Sequence, residues 1–144
     1  MASIQNLDFD NAMPANVDAE RTILGAILLD NESFFDDSLD LTAEDFSLDS
    51  HRRIFAAMND ILFGLVEGVF HVDIVTLSNE LTRRKEIETV GGVAFLASLT
   101  EGLPRRPVID EYVRIVKDKS RLRKLMLVCS AAIARATATR YNES

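Results

Sequence analysis

Apolar residues recur along most of this chain at three- and four-residue intervals, broken by short polar stretches. That period predicts a succession of helices rather than strands. Asn16, just after Pro14, suits an N-cap for a helix over 17–29 whose Ile23, Leu24, Ile27 and Leu28 share one face. Gly25 falls in the middle of it, where glycine costs about 1 kcal/mol relative to alanine, so another helix is expected to pass closely there. A short helix over 32–39 carries Phe34, Phe35 and Leu39, and Phe46 plugs the core from the connection Leu41–Asp49. The stripe Ile54, Phe55, Met58, Ile61 and Leu62 predicts a helix over 50–64, with Gly64 and Gly68 bracketing its end. Asp73 caps a helix over 74–85 with Ile74, Leu77 and Leu81 inward, and Arg83, Arg84 and Lys85 suit its C-terminal dipole. Gly91 and Gly92 open a helix over 92–100 built on Phe95, Leu96 and Leu99, stopped by Gly102 and Pro104.

The last segment differs in kind. Pro107 suits a first helical position, and no breaker follows it until about Arg140. Val108, Tyr112, Ile115, Lys119, Leu122, Met126, Cys129, Ile133 and Ala136 alternate spacings of four and three, a heptad seam in which Lys119 alone is polar. Val113, Val116, Leu125, Val128 and Ala132 widen the apolar face. A helix of some 33 residues spans about 50 Å, more than a small body can cover. An oily edge of that length would not stay soluble uncovered, so it predicts a partner: a second copy or an antiparallel helix. With no second helix before Ser144, the chain is expected to be a fragment, or to dimerise through this helix. The expected class is all-α, with five to six short helices and one long one. Residues 1–15 read as a flexible lead-in, 16–103 as a globular body and 104–144 as one arm of an oligomerisation hairpin.

Composition agrees. Hydrophobic residues make up 47% of the chain, with six Gly, three Pro and no Trp, which favours helices over a turn-rich β fold. The single cysteine, Cys129, excludes an internal disulfide and a multi-cysteine zinc site. No leader-like segment and no bilayer-length apolar run is visible, which points to a cytoplasmic setting. Charge is divided unevenly: residues 1–101 hold 6 Lys/Arg against 19 Asp/Glu, whereas residues 102–144 hold 10 against 4. An acidic body repels phosphates. The basic segment, with Arg114, Lys117, Arg121, Arg123 and Lys124, is either a solvated helix face or a surface for DNA or an acidic protein.

Catalytic constellations are missing. None of the six glycines is followed by Lys, so there is no phosphate-cradling P-loop. Asp36-Asp37 and Glu44-Asp45 are adjacent carboxylates, which point in different directions on a helix and read as solvated or helix-start charge. His51 reads as a surface or capping residue and Cys129 as a small buried hydrophobe. No catalytic residue, metal ligand or cofactor site is assigned.

The order of motifs carries a resemblance. Pro14 and Asn16 precede Glu20-Arg-Thr-Ile-Leu-Gly-Ala-Ile-Leu28, with Leu24 and Gly25 at its centre. Asp45-Phe46 and His51-Arg-Arg-Ile-Phe55 follow. Next come Asp73 with Thr76-Leu77 and Glu80-Leu81, and Gly91-Gly92 with Phe95-Leu96 and Leu99. Tyr112 with Ile115-Val116, Lys119 and Arg121 to Arg123 completes the series. In this order the segments resemble the N-terminal domain of the DnaB family of bacterial replicative DNA helicases, over about residues 14–136. Phe95 departs from a tyrosine frequent in that family, and Arg105-Arg-Pro-Val-Ile109 from its usual connection. The resemblance implies a helical body plus a hairpin that pairs subunits, three such dimers forming a collar on a hexameric ring. It further implies docking of primase and contact with a helicase loader. ATP and Mg2+ would belong to an absent C-terminal domain, and DNA would be met only through the parent hexamer. Two other readings stay open: a helical domain binding DNA through the basic helix, and an unrelated helical adaptor.

Overall fold

The computed structural model describes residues 13–37 and 40–142 and, within those, all side chains but those of Ser33, Asp36, Asp37, Tyr141 and Asn142. Residues 1–12 of the expected lead-in, Leu39 and the carboxyls of Asp36 and Asp37 therefore lie outside the described residues. Six α-helices are described: α1 (Val17–Leu29), α2 (Glu32–Asp37), α3 (Asp49–Leu62), α4 (Ile74–Arg83), α5 (Gly92–Ser98) and α6 (Asp110–Asn142). A 3-10 turn, Ala43–Asp45, stands between α2 and α3. The all-α expectation of five to six short helices and one long one holds.

The boundaries follow local chemistry. Asn16 caps α1, its Oδ1 accepting from the Ala19 N–H at 3.0 Å. Asp73 and Thr76 form a reciprocal box at the start of α4: Asp73 Oδ1 accepts from Thr76 N at 2.8 Å, and Thr76 Oγ1 accepts from Asp73 N at 2.9 Å. At the far end of α4, Glu86 N donates to Leu81 O at 2.8 Å and Lys85 N to Thr82 O at 3.0 Å. That paired pattern needs a left-handed residue, and Lys85 supplies it at φ 60° where glycine is usual. Gly91, at φ 110°, makes the left-handed entry to α5. The last helix starts later than Pro107 suggests. Ile109 and Pro107 are buried, the helix begins at Asp110, and Val108 lies ahead of it, exposed.

Packing draws the short helices around one core. Ile23, Leu24 and Ile27 of α1 meet Ile54, Phe55, Met58 and Ile61 of α3, Leu77 and Leu81 of α4, and Leu96 and Leu99 near α5. Phe46 is fully buried and lies against Phe55, ring centroids 4.9 Å apart, as its expected role requires. Phe34 joins this cluster while Phe35 remains 44% exposed. Asn31 staples the end of α1 to the approach of α4: its amide donates to Ile27 O and Val72 O, and its Oδ1 accepts from Val72 N at 2.8 Å. No helix among the described residues is long and apolar enough to cross a membrane.

Gly25 shows why the mid-helix glycine is kept. A β-carbon there would collide with the carbonyl oxygen of Leu99, just past α5, and come within 2.7 Å of Leu103 Cδ1. The close approach expected from the sequence is made by the end of α5, not by the side of a helix. Gly25→Ala should therefore destabilise the fold by roughly 1–3 kcal/mol, despite alanine's better helix propensity. Urea unfolding checks this; a neutral or stabilising result would refute the packing account.

Candidate interaction surface on the long helix

The first turns of α6 are bound to the body by one carboxylate. Asp45, at the end of the 3-10 turn, is buried. Its Oδ2 accepts from Thr42 N at 2.9 Å and from Lys117 Nζ at 3.1 Å, while its Oδ1 accepts from Ser120 Oγ at 2.7 Å. Lys117 also reaches Asp40 O at 2.6 Å. One turn further on, Arg123 donates to Asp45 O at 2.7 Å and to Pro14 O at 2.8 Å. Burial by itself would raise the Asp45 carboxyl, but the hydrogen bonds from Thr42, Ser120 and Lys117 outweigh it and hold it below the ordinary aspartate range. The expectation that Glu44-Asp45 carries solvated charge is thus corrected for Asp45, whose carboxylate caps the 3-10 turn and bridges to α6.

A second buried polar cluster stands beside it. Glu20 accepts from Ser47 N at 3.0 Å and from Ser47 Oγ at 2.5 Å, and its Oε1 lies 3.0 Å from His51 Nδ1. With Glu20 ionised, that imidazole nitrogen must be the donor. Burial pushes the Glu20 carboxyl up, yet the bonds from His51 and Ser47 win and lower it. His51 is 1% exposed, so its placement on the surface is overturned. As an internal donor it joins α3 to α1. The burial of Glu20 and Asp45 escaped sequence reasoning because an acidic residue in a first turn looks the same whether it faces solvent or a distant donor.

Beyond these contacts α6 leaves the body. Val116 and Ser120 are buried, and Val113, Lys117 and Lys119 are at most partly so, whereas from Arg121 onward nearly every residue is exposed. On that distal half Leu125 and Val128 are 59% and 66% exposed, and Leu122 and Ile133 nearly half. Of the seam, Tyr112, Leu122, Cys129 and Ile133 face solvent, and Met126 and Ile115 are less open. Cys129 is therefore not a buried hydrophobe within this chain; the body ends before reaching it. The basic residues divide. Lys117 and Arg123 turn inward to the contacts above, and Arg121 pairs with Asp118 at 3.1 Å. Lys124 lies 3.8 Å from Asp45 Oδ1, and Arg114 is exposed. They do not form one free cationic surface. Among the described residues no cluster of His, Cys, Asp or Glu could hold a metal ion.

This arrangement has known counterparts. The family model described as the DnaB-like helicase N terminal domain matches residues 12–118. The replicative DNA helicase DnaB of Geobacillus stearothermophilus is 35% identical over 130 residues, covering 90% of this chain and 28% of that protein. DnaB of Treponema pallidum is 36% identical over 123 residues, covering 85% of this chain and 27% of the relative. The chain thus spans a little over a quarter of the length of these relatives. The crystal structure of the N-terminal domain of DnaB helicase from Mycobacterium tuberculosis superposes with a TM-score of 0.80 at 29% identity, covering 89% of each chain.

Asp45 and Glu20 are depressed from ordinary values of 3.8 and 4.5, and a third buried carboxylate, Glu80, is lowered to about 2 by its hydrogen bonds from Arg83 and Arg84. A depressed acid stabilises the fold fully above its unfolded value and loses that contribution as pH falls through the folded one. Melting temperature should be flat from neutrality to about pH 5 and drop below about 4.5. Asp45→Asn should cost about 3 kcal/mol near neutrality and make the acid limb shallower. Thermal melts from about pH 2.5 to 7 check both; an Asp45→Asn variant as stable as the parent would show that this carboxylate does not hold α6.

Proposed function

The chain belongs to the family of DnaB-like helicase N-terminal domains, and from that premise we propose that it pairs subunits of a replicative helicase through α6 and docks primase. The observation that carries this is the apolar face of the distal half of α6. Leu122, Leu125, Val128 and Ile133 stand together in solvent on a helix the body does not cover. Apolar faces of that extent on soluble proteins mark sites of association. The heptad spacing of Leu122, Met126, Cys129 and Ile133 suits another helix laid alongside with interlocking side chains. The reading extends to assembly of such pairs into a hexameric collar, with primase and a helicase loader as the other partners. ATP hydrolysis with Mg2+ is assigned to the remainder of a full-length protein, and DNA to the assembled ring.

Direct DNA binding by α6 is the weaker reading. Lys117 is engaged with the Asp45 carboxylate and the Asp40 carbonyl, Arg121 is paired with Asp118, and the body is acidic. Phosphate binding would need those cations free.

The pairing reading predicts concentration-dependent sedimentation in the micromolar range and a monomer for the double variant Leu122→Glu/Ile133→Glu, with an unchanged helical spectrum. A parent chain that stays strictly monomeric at about 100 μM would remove it. Primase docking is checked separately by pull-down of the cognate primase; failure to retain it would leave the pairing role without the primase role.

A further inference from the structure

A groove of about 490 Å³ opens between the start of α1, the segment 44–48 and α6. Its apolar lining is Met13, Val17, Leu48 and Leu127, and its cations are Arg52, Arg123 and Lys124 against the single carboxylate of Glu44. We infer that this groove binds an acidic, amphipathic segment of a partner protein, its apolar side chains seated among Val17, Leu48 and Leu127 and its carboxylates meeting Arg52, Arg123 and Lys124.

Two independent observations carry it. The first is charge. Arg123 is hydrogen-bonded only to carbonyl oxygens, those of Pro14 and Asp45. Arg52 likewise donates to Phe46 O and Ser47 O, and the nearest carboxylate, Asp49 at 4.0 Å, is already held by Arg53 at 2.7 Å. Lys124 lies 3.8 Å from an Asp45 carboxylate that Lys117 and Ser120 already occupy. Among the described residues the positive charge along this wall is left largely uncompensated.

The second is a local rule broken in the groove itself. Leu48 is the N-cap of α3, makes no side-chain cap bond and is 39% exposed. Leucine is among the poorest residues there, where serine or aspartate would satisfy the first free N–H groups. An apolar side chain kept at a capping position, partly in solvent and sharing the groove with exposed Leu127, fits a contact made with something outside the chain. Among the described residues the apolar lining is aliphatic, with no aromatic ring on which a base could stack, which favours a protein segment over a nucleic acid. The groove also lies about 100° around α6 from the heptad seam, since Leu127 follows Met126 by one position. It is therefore a surface separate from the one proposed for pairing.

The test uses the whole chain and two synthetic helical peptides with the same leucine and phenylalanine face, one bearing glutamates on the other face and one glutamines. Fluorescence anisotropy should give a dissociation constant of about 100 μM or tighter for the acidic peptide, roughly tenfold weaker or more for the neutral one, and weakening with salt. Leu48→Ser should cut the affinity about fivefold or more while leaving melting temperature equal or higher, because serine is the better cap. Lys124→Gln gives a second reduction without touching the α3 cap. Equal binding of the two peptides, no effect of Leu48→Ser on binding, preferential binding of an oligothymidylate, or loss of self-association in Leu48→Ser would each overturn the assignment, the last by making a second copy the occupant.

Discussion

A single buried carboxylate ties the long helix to the body of this domain. Asp45 closes a 3-10 turn through Thr42 and, with the same two oxygens, receives Ser120 and Lys117 from a helix more than 70 residues later in sequence. Taking an ion out of water is expensive unless its lone pairs are filled. Here they are filled from two elements at once, so the free energy that keeps Asp45 ionised also fixes the direction of α6. Val116, with Val113 and Ile115 packed against the same core, supplies the apolar part of the contact, which has no directional preference of its own.

Much of the fold was legible because it rests on periodicity. The stripes of α1, α3 and α4 and the caps Asn16 and Asp73 are local signals, and helix limits fall within a few residues of expectation. The misreadings share a cause. His51, Asp45 and Cys129 were each judged from neighbours in sequence, whereas burial is set by what arrives from afar. Glu20 and the ring of Phe95 meet His51, Ser120 and Lys117 cover Asp45, and nothing among the described residues covers Cys129. The interaction surface was half legible. Spacing showed that α6 carries apolar residues in excess, but two adjacent stripes share that helix. Only the packing of Val113, Val116 and Ser120 separates the body-facing stripe from the one left in solvent.

Charge follows the same division. Summed over the sequence, the basic tail against an acidic body suggests a nucleic-acid handle. In the structure, part of that positive charge holds the tail to the body, and another part lines the groove beside Leu48. A count of lysines and arginines therefore overstates what α6 offers to a polyanion.

One mechanical consequence follows from a helix fastened near its base. About twenty residues of α6 follow Ser120, and beyond the Arg123 contacts most of them extend away from the body, a lever of roughly 30 Å. A tilt of only about 5° at the base would sweep the tip through about 2.6 Å, about half the pitch of one helical turn. Whatever meshes with the tip must find its register anew after such a swing. For the pairing proposed above, the stiffness of the small hydrogen-bonded joint at Asp45, rather than the oiliness of the distant face, would set how faithfully two such arms align.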